Sequence, residues 1–490
     1  MATNLMTAHE SIFIGGDWVA PATRDRIEVV SPWSEDVIAT VPSGSREDVD
    51  RAVAAAQQAL TAGRWPSMSL DERMAILKRF RGLLLERSEE LAQLITAQMG
   101  CPITQSRTIQ VVNPVGILEA YLETAETYPF RTLRRSANGQ ALVTREPVGV
   151  VAAVVPWNVP ASLTAQKIVP ALLAGCTVVL KPAPETPLDA YFVAQLLSEA
   201  GLPPGVVNVV PAEREVSEYL VTHPRVNKVT FTGSSVAGRR IAELCGHDLR
   251  RVTLELGGKS AAVILDDADL DAAVSALRLG SFRNSGQVCS LKTRLLVPSK
   301  LQDEFLERLN ALIDTMPIGD PQDENTHIGP LVSARQRDRV EGYIATGIAE
   351  GARLVRGGGR PIGLEKGWFV EPTVFTGVDS DATIAQEEIF GPVVAVIPYQ
   401  NENEAIAIAN NSIYGLNGSV FTTDIERGLR AASRMHTGTV ELNGNPAGFC
   451  APMGGVKQSG LGREFGPEGI DAFVELKSIG IPKEIADSLQ

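Results

Sequence analysis

The sequence is poor in cysteine: 490 residues carry five, at Cys101, Cys176, Cys245, Cys289 and Cys450, odd in number, widely spaced and never as C-x-x-C. That pattern argues against a disulfide framework and for a reducing, cytoplasmic setting. Histidine is equally sparse, and its five copies lack metal-ligand spacing, so no metal site is expected. Basic residues are outnumbered, with 45 Lys and Arg against 58 Asp and Glu and a formal net charge of -13. A nucleic-acid footprint or an anionic membrane partner is therefore not expected. The most apolar stretches, 148–155 and 168–180, are too short or too interrupted to span a bilayer. The start, MATNLMTAHE, has neither the basic nor the apolar part of a signal. Missing as well are both common phosphate-binding fingerprints, G-x-G-x-x-G and G-x-x-x-x-G-K-[ST].

What remains is an ordinary globular composition, 44% hydrophobic and 21% charged, in a chain too long for one core. A Gly15-Gly16 turn predicts a hairpin over 12–18. Two helices should start near Ser45 and Ser69, where Asp48 and Asp71-Glu72 give capping signatures. Asn138-Gly139 predicts a second hairpin, over 131–146, polar enough to project. From residue 148, short apolar β-branched runs alternate with helical segments, and a second such series begins at Ser260. This rhythm predicts an α/β fold of two domains, each with a parallel sheet covered on both faces.

Several residues stand where such sheets carry chemistry. Thr232-Gly233-Ser234 ends a strand and opens a helix, a turn that can hold a pyrophosphate or be a plain Ser-capped turn. Lys181, at a strand's carboxyl end, can reach ribose hydroxyls or phosphate, or simply be solvated. Glu255 interrupts an apolar strand; if buried it is a candidate general base, and if strand alternation turns it outward it is not. Asn158 can donate to an oxyanion or cap the helix that starts at Pro160. Cys176 and Cys245 read as core thiols. Cys289, in Asn284-Ser285-Gly286-Gln287-Val288-Cys289-Ser290, reads locally as a loop thiol whose reactivity depends on its surroundings.

In order along the chain, Pro156-Trp157-Asn158, Lys181-Pro182, Phe231-Thr232-Gly233-Ser234 with Gly238, and Leu254-Glu255-Leu256-Gly257-Gly258-Lys259 are followed by three further motifs. These are Gly286-Gln287-Val288-Cys289, Glu387-Glu388-Ile389-Phe390-Gly391-Pro392 and Gly454-Gly455-Val456-Lys457-Gln458-Ser459-Gly460. Together they resemble the aldehyde dehydrogenase superfamily over essentially the whole chain. The resemblance implies a Rossmann-like cofactor domain (1–125 and 147–256), an α/β catalytic domain (257–456) and a small β oligomerisation element (126–146 and 457–490), in a homodimer or homotetramer. It implies Cys289 as the nucleophile, Asn158 with the Cys289 N–H as oxyanion donors, and Glu255 as the base that hydrolyses a thioester. Trp157, Lys181, Gly233, Ser234, Glu388 and Phe390 would hold the cofactor. Many NAD-preferring relatives carry an acid where this chain has Pro184, so NAD use with some NADP activity is expected.

By the same register the substrate pocket would involve Leu163, Gln166, Val288, Ser290, Phe449 and Met453, with Gln166 and Met453 replacing aromatic residues common in relatives. None of these is an arginine that could clamp a second carboxylate. The expected substrate is thus a neutral, apolar to moderately bulky aldehyde, aliphatic or aromatic, rather than a semialdehyde. Two alternatives stay open: a CoA-acylating enzyme, whose members generally lack the acid matching Glu255, and a non-catalytic binding protein on the same fold.

Overall fold

Five short strands rich in valine, Val150–Val154, Thr177–Lys181, Val207–Val209, Lys228–Thr232 and Arg251–Glu255, run parallel as the centre of an eight-stranded sheet. The computed structural model describes residues 8–489. Val150–Val154, Thr177–Lys181 and Lys228–Thr232 are buried at every position, because helices cover both faces of the sheet. Antiparallel pieces close the two edges: the hairpin of Ile12–Ile14 and Asp17–Val19 on one side, Gly460–Leu461 on the other. The helices Arg46–Thr61 and Leu70–Glu86 start at the expected caps. Each forms a reciprocal box, Ser45 with Asp48 and Ser69 with Glu72, that satisfies backbone N–H groups at the helix start.

A second, seven-stranded sheet begins at Ser260–Ile264 as the pattern predicts. Its neighbour Lys292–Pro298 is a central strand that the sequence reading did not anticipate, since it opens with Lys292 and Arg294. Arg294 is tolerated inside because its guanidinium donates to the carbonyls of Lys259, Ile408 and Ala409 at 2.8 Å each. The last two lie at the end of the helix Glu402–Asn410, where carbonyls lack partners and a cation is favoured.

The polar hairpin forms from Arg131–Ser136 and Gly139–Pro147, and Val474–Ile481 adds to it as a third antiparallel strand over eight residue pairs. The tail therefore divides between two sheets. Gly460–Leu461 belongs with Arg251–Glu255, whereas only Val474–Ile481 joins the hairpin. Among the described residues, no helix is long and apolar enough to cross a membrane.

Val154, Lys181, Thr232 and Glu255 all stand at strand ends on one edge of the first sheet, the edge where open parallel sheets bind ligands. The segment that carries Cys289 enters the second sheet as Lys292–Pro298 and reaches the same place.

Candidate active site

A cleft of about 930 Å³ opens along that edge, lined among others by Val154, Trp157, Lys181, Pro184, Phe231 and Ser234. Ser234 caps the helix Ser235–His247, its Oγ accepting from the Ala237 N–H at 3.2 Å. The capped-turn reading is thus correct, and the same turn presents a helix N-terminus to the cleft. Lys181 is not a solvated lysine. It is 8% exposed, its ammonium makes no hydrogen bond or ion pair among the described residues, and burial lowers that ammonium to about 8 against the pull of Glu185 and Glu213. Glu185, one step after Pro184, pairs with Arg335 at 3.2 Å. An unpartnered buried cation beside free helix amides fits a phosphate-bearing nucleotide.

Further along, Trp157 and Phe390 meet edge to face, with centroids 5.4 Å apart and planes at 88°. Glu388 accepts from the Gly258 N–H at 3.0 Å, and a Cβ on Gly257 would overlap its carboxylate, so a larger residue there would displace the Glu388 side chain. Loss of water pushes the Glu388 carboxyl up to about 7, although the Gly258 N–H, Arg339 and Lys259 oppose this.

Cys289 follows a turn in which Asn284, Ser285 and Gly286 all adopt left-handed backbone, with φ of 52°, 54° and 79°. For the first two this costs on the order of 1 kcal/mol each. For Gly286 any side chain would collide with the Gly391 carbonyl. Polar contacts over-determine the turn. The Asn284 N–H donates to Gln105 Oε1 at 2.9 Å, Ser285 Oγ donates to the Gly329 carbonyl at 2.8 Å, and the Val332 N–H donates to Gln287 Oε1 at 3.0 Å.

Asn158 joins this network instead of capping a helix. Its Nδ2 donates one hydrogen to the Gln287 carbonyl at 3.0 Å, and its own carbonyl accepts from Asn284 Nδ2 at 2.9 Å. Two residues from the thiol, the second Nδ2 hydrogen remains available. Glu255 is buried at 3% exposure, and neither carboxylate oxygen has a hydrogen-bond partner among the described residues. Burial raises its pKa well above the ordinary range, helped by the Glu464 carboxylate and opposed by Lys167 and Arg463. Of the two readings of this acid, the buried one holds.

Lys167 and Glu464 were not singled out from sequence. They form a buried ion pair at 2.7 Å, fully sealed on the lysine side. The available signal was a lone lysine within a helix, Pro160–Ala174, that is buried along its whole length.

The expected pocket residues divide. Leu163, Phe449 and Met453 pack into one apolar cluster, and Phe449 stacks edge-on to Phe465 at 5.2 Å. Gln166 is buried with its Oε1 unpartnered, and Val288 is buried beside the thiol. Ser290 instead lines a separate cavity together with Arg283. Cys450 is exposed, while Cys101, Cys176 and Cys245 are buried and none of the five is paired.

Cys289 itself is half-buried. Desolvation, reinforced by Glu388 and Glu255 and opposed by Arg283, pushes its thiol up to about 12. At pH 7 roughly 1 in 10⁵ molecules would then hold a thiolate in the absence of ligand. Alkylation of the Cys289 peptide by iodoacetamide, followed by mass spectrometry, should accelerate about tenfold per pH unit from 7 to 10. A plateau below pH 9 would contradict a protonated resting thiol.

The chain matches the model of the aldehyde dehydrogenase family over residues 18–479. It is 47% identical to geranial dehydrogenase of Castellaniella defragrans over 472 residues, covering 96% of this chain and 98% of that protein. It is 41% identical to 3-succinoylsemialdehyde-pyridine dehydrogenase of a Pseudomonas species over 477 residues, covering 97% and 99%. A Mycobacterium tuberculosis aldehyde dehydrogenase crystallised with NAD+ superposes with a TM-score of 0.96 at 47% identity, covering 97% and 99%. A cysteine-to-alanine variant of aldehyde dehydrogenase C from Pseudomonas syringae, in complex with NAD+ and octanal, gives 0.93 at 42% identity and covers 96% of each chain. With identity of this order along nearly its whole length, the chain belongs to the aldehyde dehydrogenase family.

Proposed function

We propose that this protein oxidises an aldehyde to a carboxylic acid with NAD through a thioester on Cys289, and that its preferred substrates carry a neutral apolar or aromatic chain. The carrying observation is the unpaired, buried Glu255 carboxyl set with the Asn158 amide around a half-buried thiol. Relatives named for geranial and crystallised with octanal and NAD+ support the substrate class and the cofactor.

The chemistry follows from the protonation states. The Cys289 thiol must lose its proton before it attacks, and that proton passes to solvent water, so this step does not require Glu255. The thiolate then forms a C–S bond to the aldehyde carbon. The oxygen that becomes negative accepts from the second Asn158 Nδ2 hydrogen and from the Cys289 N–H. Lys181, Ser234 and the Gly233 turn would hold the diphosphate and adenosine side of NAD, with Trp157, Glu388 and Phe390 toward the nicotinamide. The nicotinamide ring, when bound, supplies the hydride acceptor that leaves a thioester on Cys289. Glu255, having released its own proton to solvent, then deprotonates a water, the hydroxide adds to the acyl carbon, and the Cys289 sulfur leaves as thiolate. Burial sets the basicity of this step, and the Lys167–Glu464 pair adjusts it, Glu464 raising and Lys167 lowering the Glu255 pKa. Because that basicity is raised, deacylation should fade on the acid side at a pH above the ordinary carboxylate range.

We place the cofactor domain at 1–125 and 147–256, the catalytic domain at 257–456, and an oligomerisation element at 126–146 and 457–490. The sheet of Arg131–Ser136, Gly139–Pro147 and Val474–Ile481 has an unpaired edge on each side, suited to joining a second subunit of a homodimer or homotetramer. Five unpaired thiols suit a cytoplasmic setting. Glu255 favours hydrolysis over transfer to CoA. A non-catalytic role would leave the strained turn before Cys289 without a purpose.

In rapid-mixing experiments Glu255→Gln should release one equivalent of NADH per active site in a burst, followed by turnover slowed at least about 100-fold. Cys289→Ala should show neither phase, and retained NAD-dependent oxidation in it would refute the nucleophile assignment.

Pro184 removes a carboxylate that would repel a 2′-phosphate, and Glu185 is turned to Arg335. NADP at saturating concentration should therefore support slower but measurable oxidation, and complete inertness would contradict this reading of the ribose site.

A further inference from the structure

Glu464 stands on a segment whose backbone is forced. The strand Gly460–Leu461, just before it, pairs with Leu254 and Glu255, so the chain arrives beside the acid. The next residue, Phe465, has φ 64° and ψ 166°, a region that glycine enters freely and a residue with a side chain enters only under constraint. The peptide unit between the two is clamped at both ends. Its carbonyl, that of Glu464, accepts from the Met453 N–H at 2.7 Å, and its N–H, that of Phe465, donates to the Tyr121 hydroxyl at 2.8 Å.

Tyr121 is a buried residue of the helix Val112–Thr127, and Gly469 leaves room for its hydroxyl, since a Cβ there would fall 2.3 Å from the oxygen. The Phe465 ring centroid is 6.2 Å from that of Tyr121 and 5.2 Å from that of Phe449. Glu464 Oε1 is 2.7 Å from Lys167 Nζ, and Oε2 is buried without a hydrogen-bond partner among the described residues. Glu255 is acted on by Glu464, Lys167 and Arg463 and itself acts on Cys289, while Glu464 also acts on Lys228 and Tyr121. Burial, seconded by Glu464, raises the Tyr121 hydroxyl well above its ordinary range, so it stays neutral while the neighbouring carboxyls titrate. Without that hydroxyl the Phe465 N–H would be buried and unpaired, a cost relieved by rotating the Glu464–Phe465 peptide out of its strained conformation.

We infer that Tyr121 is a positioning residue for the hydrolytic half of the reaction: its hydroxyl fixes the strained turn at Phe465 and thereby holds the Glu464 carboxylate beside Glu255. The inference rests on the proposed hydrolysis of a Cys289 thioester by Glu255. Tyr121 acts through Glu464 and not on the reacting atoms, so the steps before the thioester do not depend on it. Glu464 raises the basicity of Glu255 and Lys167 lowers it. Once the turn relaxes and Glu464 withdraws, Glu255 loses the carboxylate that raises it and faces an unpaired Lys167, and both changes make it a weaker base.

The test mixes octanal and NAD with wild-type enzyme and with Tyr121→Phe. After the NADH burst, loss of the octanoyl group from the Cys289 peptide is timed by quenched-flow mass spectrometry between about pH 5 and 9. In the variant the plateau rate of deacylation should fall at least about threefold, and the midpoint of its acid limb should move down by at least about half a pH unit. The rate of the NADH burst, which reports the earlier steps, should stay within about twofold. Deacylation unchanged in rate and midpoint overturns the inference. So does an equal loss of burst and deacylation, which would make the hydroxyl merely structural. Gly469→Ala covers a Tyr121→Phe enzyme that fails to fold: its added methyl displaces the hydroxyl while the tyrosine remains, and an unmoved midpoint in it overturns the inference. A wild type that never carries an octanoyl group on Cys289 defeats the underlying reading of Cys289 and Glu255, a result seen before any variant is compared.

Discussion

Removal of water from ionisable groups is the constraint on which this active site depends. At and behind the binding edge of the first sheet the fold buries Glu255 and the Lys181 ammonium, both without a hydrogen-bond partner among the described residues, and an ion pair at Lys167–Glu464. Burial disfavours the charged form of Glu255 and of Cys289, so the resting site is biased toward a protonated Cys289 and a protonated Glu255. A thiol pushed up to about 12 is largely protonated at neutral pH, yet it becomes strongly nucleophilic once its proton has left. Desolvation therefore matches each group to its task, keeping the free enzyme unreactive and raising the basicity of Glu255 for the activation of water.

Such matching is useful only if the groups stay in place, and the left-handed turn before Cys289 provides this. Its strain is held by Gln105, Asn158, Gly329 and Val332, which come from widely separated parts of the sequence. Asn158 is bound at both its side chain and its carbonyl, so the oxyanion donor and the nucleophile's loop move as one unit. The turn links the edge of the first sheet, where a nucleotide fits, to the second sheet, which the chain enters immediately afterwards at Lys292–Pro298.

Much of this was legible in the sequence because local rules and global structure agree. The capping boxes at Ser45 and Ser69, the Asn138-Gly139 hairpin and the valine-rich strands all form where short-range signals place them. The strand Lys292–Pro298 escaped because its charged start is compensated by helix carbonyls more than 100 residues away, which no local pattern reports. For Asn158 and Glu255 the sequence left even choices, between cap and donor and between outward and buried, that only tertiary packing decides. Lys167 and Glu464 were illegible for a related reason: a single charged residue in an apolar context carries no sign of the partner it meets across the fold.

The central claim is that acyl transfer passes through Cys289 and that Glu255 releases the product. It is tested most directly by mixing Glu255→Gln enzyme with octanal and NAD, quenching in acid within a second, and measuring intact and peptide masses. The account predicts that the peptide containing Cys289 gains the mass of one octanoyl group on most of the subunits. An unmodified Cys289 peptide under conditions where NADH has formed, or an acyl group carried by a different residue, would contradict it.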